Sequence, residues 1–327
     1  MFLRIFVPLD GSPRAERALG LAALLAQQTP VGERPFEPLL ILFRAVDLSP
    51  WLDLDDREEA RVRATEAAAR YLEKQAQCLR DQGMTVETAP RVGNPAEAIL
   101  EQTMARQVEL IVMATHGRSG LARWALGSVA ERVARSAPVP LFLLPDAAPA
   151  TTLAAEVQQT GAMPQILVPL DGSTKAEAAL PPAIEMARLL HAEIRLLYVF
   201  VPKFEENSLE VAHRAWDAGR RRVHQIERYL MRQAERIKRA GVNAHWTFGY
   251  GMPGAKIIEA AHSRQVSLMV MTTQGRGGFV RWRLGSVTEE VLHNVRLPVL
   301  LVPSAQVEAQ LPPEAQGQET LAKETLR

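Results

Sequence analysis

The 327-residue chain has a single cysteine, Cys78. A disulfide framework within the chain is therefore excluded, and a cytoplasmic setting is the natural expectation. Long hydrophobic runs are missing too. The opening MFLRIFVPLD is apolar but reaches Asp10 too early for a signal peptide, and no later run approaches a bilayer-spanning length. No membrane partner is expected. Charge of one sign is not in excess: 38 basic residues face 37 acidic ones. No strong field points to nucleic acid or an anionic surface. There is no G-x-x-x-x-G-K-[ST], which excludes a standard P-loop nucleotidase. No G-x-G-x-x-G follows the first apolar run, which argues against a dinucleotide oxidoreductase. Cysteine and histidine show no metal-ligand spacing.

What the chain does have is itself, twice. VPLDGS occurs at residues 7–12 and again at 168–173. GNPAEAI at 93–99 matches GMPGAKI at 251–257. Residues 115–129 read THGRSGLARWALGSV, and 273–287 read TQGRGGFVRWRLGSV, identical at ten of fifteen positions. PLFLLP at 140–145 answers PVLLVP at 298–303. A repeat in constant order, with an offset of 158 to 161, is a duplicated domain. The expected division is a first domain at 1–146, a linker at 147–163, a second domain at 164–304 and a polar, mobile tail at 305–327. A composition of 47% hydrophobic and 23% charged residues suits two packed cores.

Within each copy, short apolar runs alternate with helical spacing. RIFVPL, LLILFRAV, TVETAPRV, LIVMAT and LFLL read as strands in the first copy. Helices are expected from Ser12-Pro13, over 58–82, over 95–106 and from near Ser128. The second copy follows, with helices from Thr174, over 208–240, from Pro253 and from Ser286. The pattern predicts an α/β fold: two tandem domains, each a five-stranded, mostly parallel sheet with helices on both faces. Such sheets bind ligands at the carboxyl ends of strands, where strand order switches. Both repeated loops fall at such ends.

The loop after the fourth strand has the chemistry of an anion site. Glycines let backbone N–H groups approach, and Gly127-Ser128 opens a helix whose free N–H groups and positive dipole end suit a phosphate. Ser128 adds a hydroxyl, and Arg118 or Arg123 can add charge. A plain strand-to-helix turn with Ser128 as its N-cap would explain the same residues. Asp10, in VPLDGS, can accept from an adenine amino group or a ribose hydroxyl, or approach a metal. It can equally satisfy the amides of its own turn. Asp10, Ser12 and His116 do not make a convincing hydrolytic triad: Ser12 lacks the G-x-S-x-G elbow, and His116 becomes Gln274 in the second copy. The basic run at 219–239 reads as a solvated helical face, not a nucleic-acid platform.

Taken together, VPLDGS, the G-x-P before a helix, the loop ending in LGSV and the closing Pro-flanked strand resemble the universal stress protein (UspA) family in its tandem two-domain form. The resemblance runs from about Phe2 to Pro303. It implies two Rossmann-like domains of the adenine nucleotide alpha hydrolase-like type. It further implies ATP or another adenine nucleotide as ligand, with Mg2+ near Asp10 as an accompanying ion. In the first domain it sets Pro8, Leu9 and Asp10 beside adenine or ribose and Ala45 along the adenine. Ala114, Gly117, Arg118, Gly127, Ser128 and Val129 fall around the phosphates. The second-domain matches are Pro169, Leu170, Asp171 and Val199, then Thr272, Gly275, Arg276, Gly285, Ser286 and Val287. The family's ATP-binding members carry G-x-x-G, nine residues, then G-[ST]. Here the first glycine is Ala114 in one copy and Thr272 in the other. Thr272 adds a branched, polar group that would crowd a ribose or phosphate, so the second site is the weaker one. The resemblance also implies pairing through the last strands, 141–144 and 299–302, made within one chain or between two.

Three uses are compatible with these residues. One is a stress-response module that binds adenine nucleotide without fast catalysis. Another is a nucleotide-independent scaffold acting through protein contacts. The third is a slow Mg-dependent ATPase using Asp10.

Overall fold

The structure, a computed structural model, describes residues 2–27, 37–47, 57–116, 126–145, 163–201, 209–263, 265–275 and 284–304. Side chains of residues 57 and 209–220 are left aside. The expected linker up to residue 162 and the tail lie outside the described residues. So do Gly117, Arg118, Arg123, Arg276, Gly277 and Gly278.

The first half runs β1 (Arg4–Pro8), α1 (Pro13–Gln27), β2 (Leu39–Val46), α2 (Arg57–Arg80), β3 (Thr85–Val92), α3 (Pro95–Ala105), β4 (Leu110–Ala114), α4 (Ser128–Ser136) and β5 (Leu141–Leu144). The second half runs β6 (Gln165–Leu170), α5 (Thr174–Glu177), α6 (Leu180–Leu189), β7 (Glu193–Phe200), α7 (Leu209–Arg239), β8 (Ala244–Tyr250), α8 (Pro253–Ala261), β9 (Val266–Thr272), α9 (Ser286–Asn294) and β10 (Val299–Val302). The single helix expected from Thr174 is two. A turn at 178–179 separates α5 from α6. Pro181 is the second residue of α6, a position where a missing N–H costs nothing.

Among the described residues, ten strands form one sheet in the order β3-β2-β1-β4-β5-β10-β9-β6-β7-β8. Each half is parallel and doubly wound, and the chain reverses direction of travel between β1 and β4, and again between β6 and β9. The halves join where β5 meets β10 antiparallel, with Phe142 opposite Leu300. Both strands are buried throughout, so neither domain leaves that apolar edge open.

Strand alternation explains the continuous apolar runs. Ile5 and Val7 point to one face, which α1 and α2 cover as α6 and α7 cover the same face of the second half; Phe6 points to the other, under α3 and α4. Both apolar layers continue across the β5–β10 join into the second domain. The join also carries an ion pair: Arg135 of α4 donates to its own helix's Glu131 and to Glu289 of α9, each at 2.8 Å.

Candidate functional site

Asp10 follows β1 at the point where strand order switches, and the turn there explains the DGS sequence. Gly11 has φ of 84° and Gly172, its counterpart, 81°, a region open to glycine. The Ser12 N–H and hydroxyl both donate to Asp10 Oδ1, at 2.9 and 2.6 Å. Ser12 Oγ then accepts from Ala15 N at 3.2 Å, capping α1. Asp171 and Ser173 repeat this geometry at 2.9 and 2.6 Å, with Ser173 capping α5. One carboxylate oxygen of each aspartate thus serves its own turn. Ser12, held by Asp10 and by the helix, is not set up as a nucleophile.

Helices α4 and α9 begin differently. Asn94 caps α3 through its side chain, accepting from Ala96 N at 3.2 Å. The N-caps of α4 and α9 are Gly127 and Gly285, which offer no side chain to the first-turn amides. Ser128 and Ser286 are therefore the first helical residues, not the caps, and both are exposed. Each glycine N–H reaches back to the end of the preceding strand: Gly127 N to Thr115 O at 2.9 Å, Gly285 N to Thr273 O at 2.8 Å. Amides left without a side-chain cap, at the positive end of a dipole, are what an anion needs.

The remaining predicted residues fall into two groups. Ala45, Val129, Val199 and Val287 are half-buried and pack on the α3–α4–α8–α9 side of the sheet. Leu9 and Leu170 belong to the core under α1 and α6, and Pro8 is buried, so these can offer a ligand backbone only. Ala114 is half-buried, whereas Thr272 is 6% exposed. Thr272 does not project into open space: its hydroxyl donates to Gln274 O at 2.9 Å. His116 Nδ1 lies 3.1 Å from Thr115 Oγ1, and its Nε2 is buried without a hydrogen-bond partner among the described residues.

A polar cluster beside Asp10 was not foreseen. Tyr71 and Gln75 of α2 both donate to Glu16 of α1, at 3.0 and 3.1 Å, and the Arg44 guanidinium lies 4.8 Å above the Tyr71 ring. Burial, and next the Glu16 bond, push the Tyr71 hydroxyl well above its ordinary pKa of 10.0. The second domain keeps Glu177, Tyr229 and Gln233 at the matching positions, but Tyr198 replaces Arg44 and meets Tyr229 edge-on at 6.4 Å. There the Tyr229 hydroxyl and Gln233 Oε1 are buried without partners among the described residues. Burial, then the charge of Glu177, pushes Tyr229 upward as well. The signal was present: Glu16, Tyr71 and Gln75 recur at the same offsets as the glycine motifs. Among the described residues, no three His, Cys, Asp or Glu converge on a metal site. None of the described helices is long and apolar enough to cross a membrane.

Two doubly wound domains on a shared sheet, each with a capped Asp turn after its first strand and an uncapped helix after its fourth, define a tandem α/β protein with the same geometry at its two switch points. The universal stress protein family model matches residues 1–145 and again 163–303, and the chain belongs to that family. A universal stress protein of Methanocaldococcus jannaschii is 31% identical over 144 residues, which is 42% of this chain and 81% of that protein. One from Mycolicibacterium smegmatis is 26% identical over 313 residues, 91% of this chain and 96% of its own. The crystal structure of a universal stress protein from Archaeoglobus fulgidus covers 92% of this chain and 98% of its own, with a TM-score of 0.66 at 20% identity. That likeness extends the shared fold over both domains.

Proposed function

We propose that this chain is a cytoplasmic stress-response module that binds ATP or a related adenine nucleotide, first of all in domain 1, without fast catalysis. The supporting observation is the start of α4. Gly127 leaves the first-turn amides without a side-chain cap, Ser128 sets an exposed hydroxyl beside them, and Asp10 stands across the β1–β4 switch point. Phosphates suit the helix end, and a carboxylate suits ribose or the adenine amino group. An accompanying Mg2+ would draw most of its oxygen ligands from the phosphates and water, with Asp10 as an acidic ligand. Ser12 is bound to Asp10 and caps α1, so it supplies no ready nucleophile.

The test is direct. Purified protein is denatured and the supernatant examined for released adenine nucleotide; the ligand-free protein is then titrated with ATP and Mg2+ by calorimetry. Binding that weakens at least tenfold in Asp10→Ala is expected. No released nucleotide and no heat at millimolar ATP would leave the scaffold reading in its place.

A further inference from the structure

We propose that the hydroxyls of Thr272 and Thr288 form a latch that keeps the second domain's loop on Asp171, so that the resting chain takes up nucleotide at one site, in domain 1. The proposal rests on the nucleotide reading above and says which copy of the site is open.

The latch has two links. Thr288, in the first turn of α9 and 4% exposed, donates to Thr272 O at 3.1 Å. Thr272, the last residue of β9, donates to Gln274 O at 2.9 Å. With the Gly285 N–H on Thr273 O, these bonds fold residues 272–275 back against α9. The consequence is seen at Gly275. A methyl group built there would lie 2.5 Å from Asp171 Oδ2. The Gly275 backbone therefore lies close beside one carboxylate oxygen while Ser173 holds the other. A ribose or adenine group reaching for that oxygen of Asp171 meets Gly275 beside it.

Domain 1 cannot make this latch. Ala114 stands at the position of Thr272, and Ala130 at that of Thr288. Neither carries a hydroxyl, while the backbone bond from Gly127 N to Thr115 O is kept. The two threonines thus differ from domain 1 together, on adjacent elements, and the Thr288 hydroxyl bonds to the carbonyl of Thr272 itself. Buried hydroxyls bonded to backbone carbonyls hold that backbone in one conformation, because leaving them unpaired is costly.

The experiment compares the full chain with Thr272→Ala/Thr288→Ala and with the shape-preserving Thr272→Val/Thr288→Val. ATP with Mg2+ is titrated by calorimetry, and hydrogen exchange is followed over residues 268–275 in ligand-free protein. The wild type is expected to bind one ATP per chain, and a folded double variant two. Exchange over 272–275 should quicken roughly tenfold in the variants. Two equivalent sites in the wild type, or one site in both variants, would overturn the latch and leave the nucleotide reading intact. No binding by the wild type would overturn the nucleotide reading; the latch then stands on faster exchange in the variants, or falls on unchanged exchange.

Discussion

The two loop glycines look interchangeable in sequence, yet their surroundings differ enough to predict different penalties. A methyl group at Gly127 would lie 2.9 Å from Thr115 O and 3.7 Å from His116 Cα, both backbone atoms. Thr115 O is also the acceptor of the Gly127 N–H, so alanine must push the end of β4 away and stretch that bond. Overpacking of this kind costs about 1–3 kcal/mol, and the weakened bond overlaps with that figure. At Gly285 the nearest atom, Thr273 O, is 3.6 Å away, an ordinary contact. Both glycines are extended, with φ of −63° and −65°, which alanine adopts freely. The poorer N-cap preference of alanine and its stiffer unfolded chain apply equally to both and cancel in the comparison. Gly127→Ala should therefore lose about 2 kcal/mol more than Gly285→Ala. Urea unfolding of the full chain, followed by far-ultraviolet circular dichroism at matched m, measures this; with both domains unfolding together the melting temperatures should differ by about 3 °C. Equal losses would refute the reasoning, because they would mean that the strand end yields at no cost.

Three further outcomes are expected. Tyr71 and Tyr229 hold their protons above the ordinary 10.0, so Tyr71→Phe and Tyr229→Phe should each leave the phenolate absorbance of the folded protein at about pH 11 unchanged. The folded state then binds more protons than the unfolded one, so stability falls as pH rises past 10.0, and Tyr71→Phe should make that fall shallower in urea titrations. Arg135→Ala removes the ion pair between α4 and α9; its partners are only partly buried, so the loss should stay below about 1 kcal/mol and shrink in high salt. Phe142→Ala, at a fully buried position of the β5–β10 join, should cost about 3–5 kcal/mol by the same unfolding assay.

Much of this fold is legible in the residues, for physical reasons. A strand buried on both faces must be apolar throughout, so LIVMA and LFLL could be recognised without a partner in view. Helices with a side-chain cap or an N-terminal proline announce their starts, as Ser12-Pro13 and Asn94-Pro95 do. The break between α5 and α6 was less visible, because Ala178 and Ala179 suit a continuous helix and only the following prolines argue otherwise. Contacts between helices were hidden more completely. Glu16 and Tyr71 meet across 55 residues of sequence, and no local pattern connects them. Thr272 illustrates a different failure. Its bulk was legible, and crowding of a ligand followed from that. The direction of its hydroxyl, toward Gln274 O, depends on a backbone path that its side chain itself helps to hold.

Duplication leaves each site free to lose what the other keeps, and the polar clusters beside the two aspartates show the same drift as the loops. In domain 1 a guanidinium sits among carboxylates: Arg44 stacks on Tyr71, which donates to Glu16, and the charge of Asp10 is felt at the same phenol. In domain 2 the acids Asp171 and Glu177 persist around Tyr229, but the residue at the position of Arg44 is Tyr198. Substituting an aromatic ring for a cation makes the local field more negative, and in a half-buried setting that change is weakly screened. On the nucleotide reading proposed above, a polyphosphate would meet a less favourable potential at the second switch point even before the loop is considered. The Thr272–Thr288 hydrogen bonds and the Arg44-to-Tyr198 exchange act through different forces. On that reading both would weaken the same site, which is how a copy would diverge once its partner suffices to bind the ligand.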